Sequence, residues 1–388
     1  MLSLDQAVAL ALGDQPTVQA YRREADASEQ AAETARTLPD PQVSAGVQNL
    51  PVTGSMAFNP SRDTMTMYTI GVMREQVRRS KREAEAYQLH VEAVASRAEA
   101  SAEERQIRRA VMIAWLLAVE AEAKQRLLKQ VIADLKTGRQ VMEAGVPTGA
   151  STPSLALQAQ AEVAIAEADL AQAGEQEMRA RAELARWIGQ AADRPLPDRV
   201  PALKPPPEVE ADIAGHPLLR VAEAQEEAAR GQIGVARAQR KPDISWSAMY
   251  GWRPSYDNMV SVQVSIPLFV NRKNRQDRKI VEASARADAA RLRVESTRRE
   301  LRAAYAAALA DYRGADARLN KIIKDAIPAL EASFEAARAR YAAGPGSLEL
   351  PLTIVRRYVE TNIQSVEEQA KRARAAVELA YLSGDLVK

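Results

Sequence analysis

The chain of 388 residues contains no cysteine. That absence removes disulfides, thiolate catalysis, thiolate metal sites and any lipid anchor carried on cysteine. Aromatic residues make up only 4% against 46% hydrophobic overall, so alanine and the aliphatics must supply the packing, and alanine-rich packing brings helices close together. Neither sign of charge dominates: 53 Lys and Arg against 51 Asp and Glu leave +2, which argues for neither a nucleic-acid partner nor an acidic substrate. No apolar run approaches the ~18 residues of a membrane helix. The opening Met1-Leu2-Ser3-Leu4-Asp5 lacks a charged region followed by an apolar core. The expectation is therefore either a cytosolic chain or a mature form whose export signal has been removed.

What the sequence does hold is a duplication. Pro16, Ala35-Arg36 and Pro41 recur as Pro217, Ala236-Arg237 and Pro242, each pair 201 residues apart. Glu143-Ala144-Gly145 answers to Ala342-Ala343-Gly344, and Trp187-Ile188-Gly189 to Leu382-Ser383-Gly384. The offset shrinks along the chain, so the second copy is a few residues shorter. The period is too long for a solenoid repeat and suits two copies of one large unit. The expected organisation is a first structural repeat over 1–194, a Pro-rich linker over 195–210 and a second repeat over 211–388.

Each copy opens with a short helix and a second helix entered at Pro16 or Pro217, where a missing N–H is harmless. The period then changes from 3.6 to 2. Ile244, Trp246, Ala248, Tyr250 and Trp252 alternate with Ser245, Ser247, Met249 and Gly251. After a turn, Val260, Val262, Val264 and Ile266 alternate with Ser261, Gln263 and Ser265. The spacing predicts strands over about 243–253 and 259–268, and in the first copy over about 42–50 and 64–73. Long helical hairpins follow over 76–188 and 272–382. The stretch from Gln76 to Glu143 alone would span about 100 Å as one helix. Coiled-coil seams are expected at Ala156, Ala159, Val163, Ala166, Leu170 and Ala173, and again at Val359, Ile363, Val366, Ala370, Ala373, Val377 and Ala380. The chain reverses at Gly145 to Gly149 and at Gly344 to Ser347. Pro328 should kink the second long helix.

Four strands of this length suit a tilted β-barrel wall, but four cannot close. An open edge in lipid leaves backbone groups unpaired, so other copies must complete the sheet; three chains give twelve strands and two give eight. Trp246, Tyr250, Trp252 and Tyr256 are the candidates for the aromatic belt at the membrane interface. The alternatives are a soluble hairpin packed on a helix and, at the level of function, a soluble coiled-coil scaffold.

Leu38-Pro39-Asp40-Pro41-Gln42-Val43-Ser44-Ala45-Gly46-Val47-Gln48-Asn49-Leu50-Pro51-Val52, with His216-Pro217-Leu218-Leu219 and Ser265-Ile266-Pro267-Leu268-Phe269, resembles the TolC family of outer-membrane efflux channels. The first stretch is similar to the heavy-metal branch, the CzcC-like and CusC-like channels. The resemblance implies a mainly α fold with a small β part: long helical hairpins form a trimeric periplasmic tunnel, and four strands per chain enter a shared twelve-stranded transmembrane barrel. It implies an outer-membrane homotrimer that contacts lipid, a periplasmic membrane-fusion adaptor and an inner-membrane resistance-nodulation-division pump. The implied function is passive export of heavy-metal cations, or of drugs and other small molecules through the same fold. No enzyme activity, cofactor or nucleic-acid partner is expected. Two departures stand out. Gln76-Val77-Arg78-Arg79-Ser80-Lys81-Arg82 replaces the proline- and glycine-bearing turn usual after the first strand pair. Leu350 and Thr353 fall where drug-efflux members carry acidic gate residues.

The resemblance places adaptor contacts at the hairpin tips, Gly145, Val146, Pro147, Thr148 and Ser151 in the first copy and Gly344, Pro345, Gly346, Ser347 and Leu348 in the second. It makes Glu349, Leu350, Thr353, Arg356 and Arg357 the candidate pore constriction, against the alternative of a solvated helix. No catalytic constellation and no metal site stands out. His90 and His216 read as capping or surface residues, and Met56, Met65, Met67 and Met73 as packing or as weak soft-metal contacts. The clusters Arg78, Arg79, Lys81, Arg82 and Arg272, Lys273, Arg275, Arg278 follow each strand pair, at the membrane boundary or tunnel wall if not on a solvated face.

Overall fold

The computed structural model describes residues 1–13, 15–149, 151–205, 213–342 and 349–383. Among them are eight α-helices and one four-stranded sheet. In chain order these are α1 (Leu4–Gly13), α2 (Pro16–Arg36), β1 (Gln42–Gln48), β2 (Met67–Gln76), α3 (Arg79–Gly145), α4 (Pro153–Ile188), α5 (Pro217–Ala238), β3 (Ile244–Trp252), β4 (Met259–Ser265), α6 (Gln276–Lys321), α7 (Ile327–Ala342) and α8 (Glu349–Leu382). No helix among the described residues is long and apolar enough to cross a membrane.

Local chemistry sets the boundaries. α4 starts where Thr152, in extended conformation, accepts the Leu155 N–H on its side chain while Pro153 occupies the first turn. It ends at Gly189, whose φ of 58° suits glycine. β2 begins three residues later than the apolar alternation predicts, because Thr64 to Thr66 are drawn into a turn. There Asp63 accepts from the Met65 N–H at 3.1 Å and the Thr66 hydroxyl at 2.8 Å. The strand instead runs on through Arg74, Glu75 and Gln76, which pair with Trp246, Ser245 and Ile244. β4 stops at Ser265, two residues before Pro267, which lacks a ladder donor.

The second long helix is interrupted, as Pro328 requires. Ile322–Ala326 adopts π-helical bonding, and the Ile327 N–H reaches Ile322 O. This extra residue per turn relieves the clash that a proline ring makes with the carbonyl one turn earlier. α3 carries no such break.

The chain divides into two compact units. One comprises Gln19–Ala100 and Arg220–Thr297 and contains the sheet; the other comprises Met1–Val18, Ser101–Leu219 and Arg298–Lys388. Each draws on both sequence copies. The sheet-bearing unit packs helices mainly on alanine: Ala25, Ala32, Ala86, Ala93, Ala95, Ala236, Ala283, Ala287 and Ala290 are buried. At Gly231 the helices approach closely: an added Cβ would lie 3.3 Å from Val91 and 2.3 Å from the Gln88 amide oxygen. The other unit has a heavier core. Trp115 is buried and donates its indole N–H to Leu2 O at 3.1 Å, and Ile107, Val111, Leu116, Val119, Leu184 and Leu379 are buried as well.

The seams differ from the expected pattern. In α4 the buried line is Leu155, Ala159, Val163, Ala166, Ala173, Ala180 and Leu184, so Leu155 takes the place expected for Ala156, and Leu170 is half-buried. In α8, Val359, Ile363 and Val366 are only half-buried. Thr361, Ser365 and Glu368 are buried in their stead, followed by Ala370, Ala373 and Val377. Hydroxyls that bond their own helix make this possible: Thr361 donates to Arg357 O at 2.7 Å and Ser365 to Asn362 O at 2.8 Å. Glu368 accepts from Arg318 and Lys371, each at 2.9 Å.

Candidate channel wall, junction and helical tips

The sheet is antiparallel throughout, in the order β1-β2-β3-β4. Its register aligns Val43, Ala45 and Val47 with Val72, Ile70 and Tyr68. These lie beside Ala248, Tyr250 and Trp252, and Trp246, Ala248 and Tyr250 lie beside Val264, Val262 and Val260. Because side chains alternate between faces, one face is an apolar surface, interrupted at the helix end of β2 by Arg74 and Gln76 beside Trp246 and Ile244, and most of it is exposed. The opposite face carries Ser44, Gln48, Thr69, Ser245, Ser247, Ser261, Gln263 and Ser265. Four methionines share it: Met67, Met73, Met249 and Met259. Met67 lies over Gly251, where a Cβ would meet its sulfur at 2.6 Å. The Gln48 amide reaches the Met249 sulfur at 3.4 Å. Met56 and Met65 are exposed in the loop between β1 and β2.

All four aromatics singled out in the sequence are exposed. Trp246 stands at the helix end of β3. Tyr250, Trp252 and Tyr256 lie toward the far end, where Tyr68 packs on Trp252 with ring centres 5.4 Å apart. Tyr68 was missed by sequence reasoning, although its alternation with Ile70 and Val72 marks it. Arg253 covers the Tyr256 ring at 5.8 Å and donates to Thr64 O at 3.2 Å, tying the two far-end loops together.

The bend from β2 into α3 is held without proline or glycine. Asp243, just ahead of β3, accepts from the Arg78 backbone N–H at 3.0 Å and from Lys81 Nζ at 2.8 Å. The Arg78 guanidinium donates to Ala238 O at 2.6 Å and to Lys241 O. Burial pushes the Asp243 pKa up, but the bonds from Arg78 and Lys81 outweigh it and hold the carboxyl below its usual value. The bond to Asp243 in turn raises the Lys81 pKa. Asp243 was also missed by sequence reasoning; a lone acid beside a proline gives no periodic signal. After β4 the cations are arranged otherwise. Asp277 forms an ion pair with Arg240 at 2.9 Å and lies 3.8 Å from Arg272.

At the first tip, the Gly149 N–H reaches Val146 O at 3.2 Å, the Ser151 N–H reaches Gly145 O at 3.1 Å and the Thr148 hydroxyl reaches Gly145 O at 3.0 Å. Gly149 has φ 73°. Pro147 and Thr148 are exposed, Gly145 and Val146 half-buried, and Ser151 buried. Ser151, offered in the sequence as an adaptor contact, is therefore buried and closes the turn. Gly344, Pro345, Gly346, Ser347 and Leu348 lie outside the described residues.

Among the constriction candidates, Glu349 and Leu350 open α8. Arg356 pairs with Glu360 at 3.0 Å and reaches Glu162 of α4 at 3.3 Å, and Arg357 lies 3.5 Å from Glu360. Close by, Val131, Phe334, Val355 and Val359 line an apolar groove of about 630 Å³. Tyr358 donates to Glu331 at its rim, at 3.1 Å.

His216 is fully buried. Its Nδ1 accepts the Leu218 N–H at 3.2 Å, capping α5, and its ring meets Tyr381 edge-on at 5.1 Å. Burial, aided by the Arg105 charge, lowers its pKa to about 4. His90 pairs with Glu29 at 3.0 Å. No group of three or more His, Asp or Glu among the described residues is placed to hold a metal ion.

A strand quartet with one exposed, mostly apolar face is joined to long helical hairpins, the layout that solved outer-membrane channels share. Residues 210–385 carry the domain of the outer membrane efflux protein family, and the fold is that of the TolC-like channels, a transport-channel fold and not that of an enzyme family. The resemblance drawn from the sequence is thereby borne out. The fold matches the Vibrio cholerae outer membrane protein VceC over 98% of this chain and 96% of that one, with TM-score 0.81 and 21% identity. It matches CusC over 98% and 91%, with TM-score 0.82 and 17% identity, and the Campylobacter jejuni CmeC outer membrane channel over 98% and 85%, with TM-score 0.83 and 14% identity. Among curated proteins, the nickel and cobalt resistance protein CnrC of Cupriavidus metallidurans is 36% identical over 113 residues. That match spans 28% of this chain and 26% of the relative.

Proposed function

We propose that this chain is the outer-membrane channel of a tripartite efflux pump and that its cargo is heavy-metal cations. The sheet carries the channel reading: one mostly apolar face and two unpaired edges, β1 and β4, of seven residues each. Edge groups left unpaired in lipid cost several kcal/mol apiece. Pairing β4 of one copy with β1 of the next relieves both edges, and a head-to-tail contact of this kind closes a ring. Three copies then supply twelve strands and six helical hairpins, with each sequence copy acting as one structural repeat. The strands sit in the outer membrane and the hairpins in the periplasm, where an adaptor and an inner-membrane resistance-nodulation-division pump complete the path.

The first tip meets the adaptor through Gly145 to Thr148, chiefly Pro147 and Thr148, and residues 344–348 form the second contact. Around Thr353, the bridge from Arg356 to Glu162 holds α8 to α4 and must yield when the constriction opens. The metal reading is supported by the likeness to the nickel and cobalt resistance protein. The four methionines on the small polar face agree with it, since thioethers exchange soft cations weakly, and a duct must release what it touches.

The test is expression behind an export signal, followed by native mass spectrometry of the detergent extract and metal tolerance of a deletion strain. A trimer from the outer-membrane fraction that restores tolerance to nickel, cobalt or copper is the expected result. A detergent-independent monomer would overturn the channel reading. A trimer that restores resistance to dyes or antibiotics but not to metals would keep the channel and overturn the cargo.

A further inference from the structure

The apolar character of β4 does not stop where its hydrogen bonding stops. After Val260, Val262 and Val264 the chain stays apolar through Ile266, Pro267, Leu268, Phe269 and Val270, of which Leu268 and Val270 are 82% and 94% exposed. Directly after them come Arg272, Lys273, Arg275, Arg278 and Lys279, all exposed, against the single acid Asp277. Asp277 engages Arg240 and lies at the edge of reach of Arg272. The side chains of Lys273, Arg275, Arg278 and Lys279 have no ion-pair or hydrogen-bond partner among the described residues. The matching cluster of the first copy is already occupied. Arg78 and Lys81 hold Asp243, Arg82 donates to Arg36 O, and Arg79 pairs with Glu83 at 2.7 Å.

We propose that Lys273, Arg275, Arg278 and Lys279, with Leu268 and Val270, form a binding surface for anionic phospholipid headgroups in the leaflet that faces the helices. The proposal rests on the channel reading, because it needs the apolar face of the sheet to be in lipid. Two features of the surface select lipid as the occupant. The apolar run from Ile266 to Val270 is separated from the cations by Asn271 alone, so apolar and cationic side chains adjoin as at a chain-to-headgroup boundary. The excess positive charge is compact, and it stands at one strand end of one copy only.

The experiment is native mass spectrometry of the detergent-extracted protein titrated with phosphatidylglycerol or phosphatidylcholine, for the wild type and for Lys273→Gln/Arg275→Gln/Arg278→Gln/Lys279→Gln. Arg79→Gln serves as the control from the first copy. The wild type should retain phosphatidylglycerol about tenfold over phosphatidylcholine, and the preference should fall as salt shortens the screening length. The quadruple variant should lose the preference, and Arg79→Gln should keep it. If the quadruple variant does not assemble, the salt titration of the wild type and the single variant Arg275→Gln carry the test. A salt-insensitive preference, or one that Arg275→Gln and the quadruple variant leave unchanged, overturns the proposal. So does a quadruple variant that dissociates into monomers with its lipid count per chain intact, which would make the surface a contact between copies. Failure of the wild type to reach the outer membrane would instead sink the channel reading.

Discussion

In the first copy of the sequence, α3 runs unbroken from Arg79 to Gly145, and α4 packs through an apolar line of Leu155, Val163, Leu184 and alanines. In the second, the corresponding long helix changes its hydrogen bonding at Ile322–Ala326, and α8 buries Thr361, Ser365 and Glu368. The buried line of α4 is thus apolar throughout, whereas that of α8 inserts two hydroxyls and a carboxylate ahead of Ala370, Ala373 and Val377. Apolar seams resist sliding because any shift opens voids. A polar seam can exchange partners, and a π turn can lengthen or shorten by one bond. If one hairpin moves during transport, these differences point to the second.

The comparison breaks most visibly at Leu184, which is fully buried. Leu184→Ala should lower stability by about 2–5 kcal/mol, whereas Thr361→Val in the second seam, which loses the hydroxyl bond to Arg357 O, should cost about 0.5–1.5 kcal/mol. Thermal denaturation of the detergent-solubilised proteins by circular dichroism would measure both. Equal losses would abolish the distinction between seams. Asp243→Ala should follow, at about 3 kcal/mol, since it strands the Arg78 N–H and the Lys81 ammonium. The analogous Asp277→Ala, at a more exposed site, should cost a fraction of that.

Glu368→Gln comes next, at about 1–3 kcal/mol. Burial raises its pKa, but bonds from Lys371 and Arg318 prevail and keep it below the usual carboxylate value. The stability it contributes is therefore present above the unfolded value of 4.5 and is lost as pH falls through the lower folded value. Acid titrations of wild type and Glu368→Gln should converge there. His216 acts at higher pH. Its folded pKa of about 4 lies below the ordinary 6.5, so the unfolded chain binds the proton first and stability declines as pH falls across that window. His216→Asn keeps a capping acceptor and should flatten that decline. The smallest effect is expected from Pro328→Ala, within about 1 kcal/mol. Its signature is slower amide exchange at Ile322–Ala326 as regular bonding returns; unchanged exchange would show that the π turn does not depend on the proline.

Much of this was legible because it is periodic. The two-residue alternation of Trp246, Tyr250 and Val260 to Val264 predicts the strands and the aromatic face, and Pro328 marks the break before α7. Features that depend on distant partners were not legible. β2 extends through Arg74 and Glu75 because β3 lies alongside to pair with them, which hydrophobicity does not report. The α8 seam runs through Thr361 and Ser365 because hydroxyls can satisfy themselves on their own helix. Ser151 is spaced like an exposed tip residue, yet its backbone bond to Gly145 turns it inward. Asp243 became visible only once residue 78 and residue 243 were neighbours in space.

That last carboxylate bears on the order in which the molecule can be built. The turn leading out of β2 is anchored by a residue 165 positions further along the chain, and β2 finds its second neighbour only in β3. A nascent polypeptide ending before Asp243 would own its first two strands but lack the anchor for the bend that follows them. The bend out of β2 and the second edge of β2 therefore gain their partners only when the chain has been extended through Asp243 and β3.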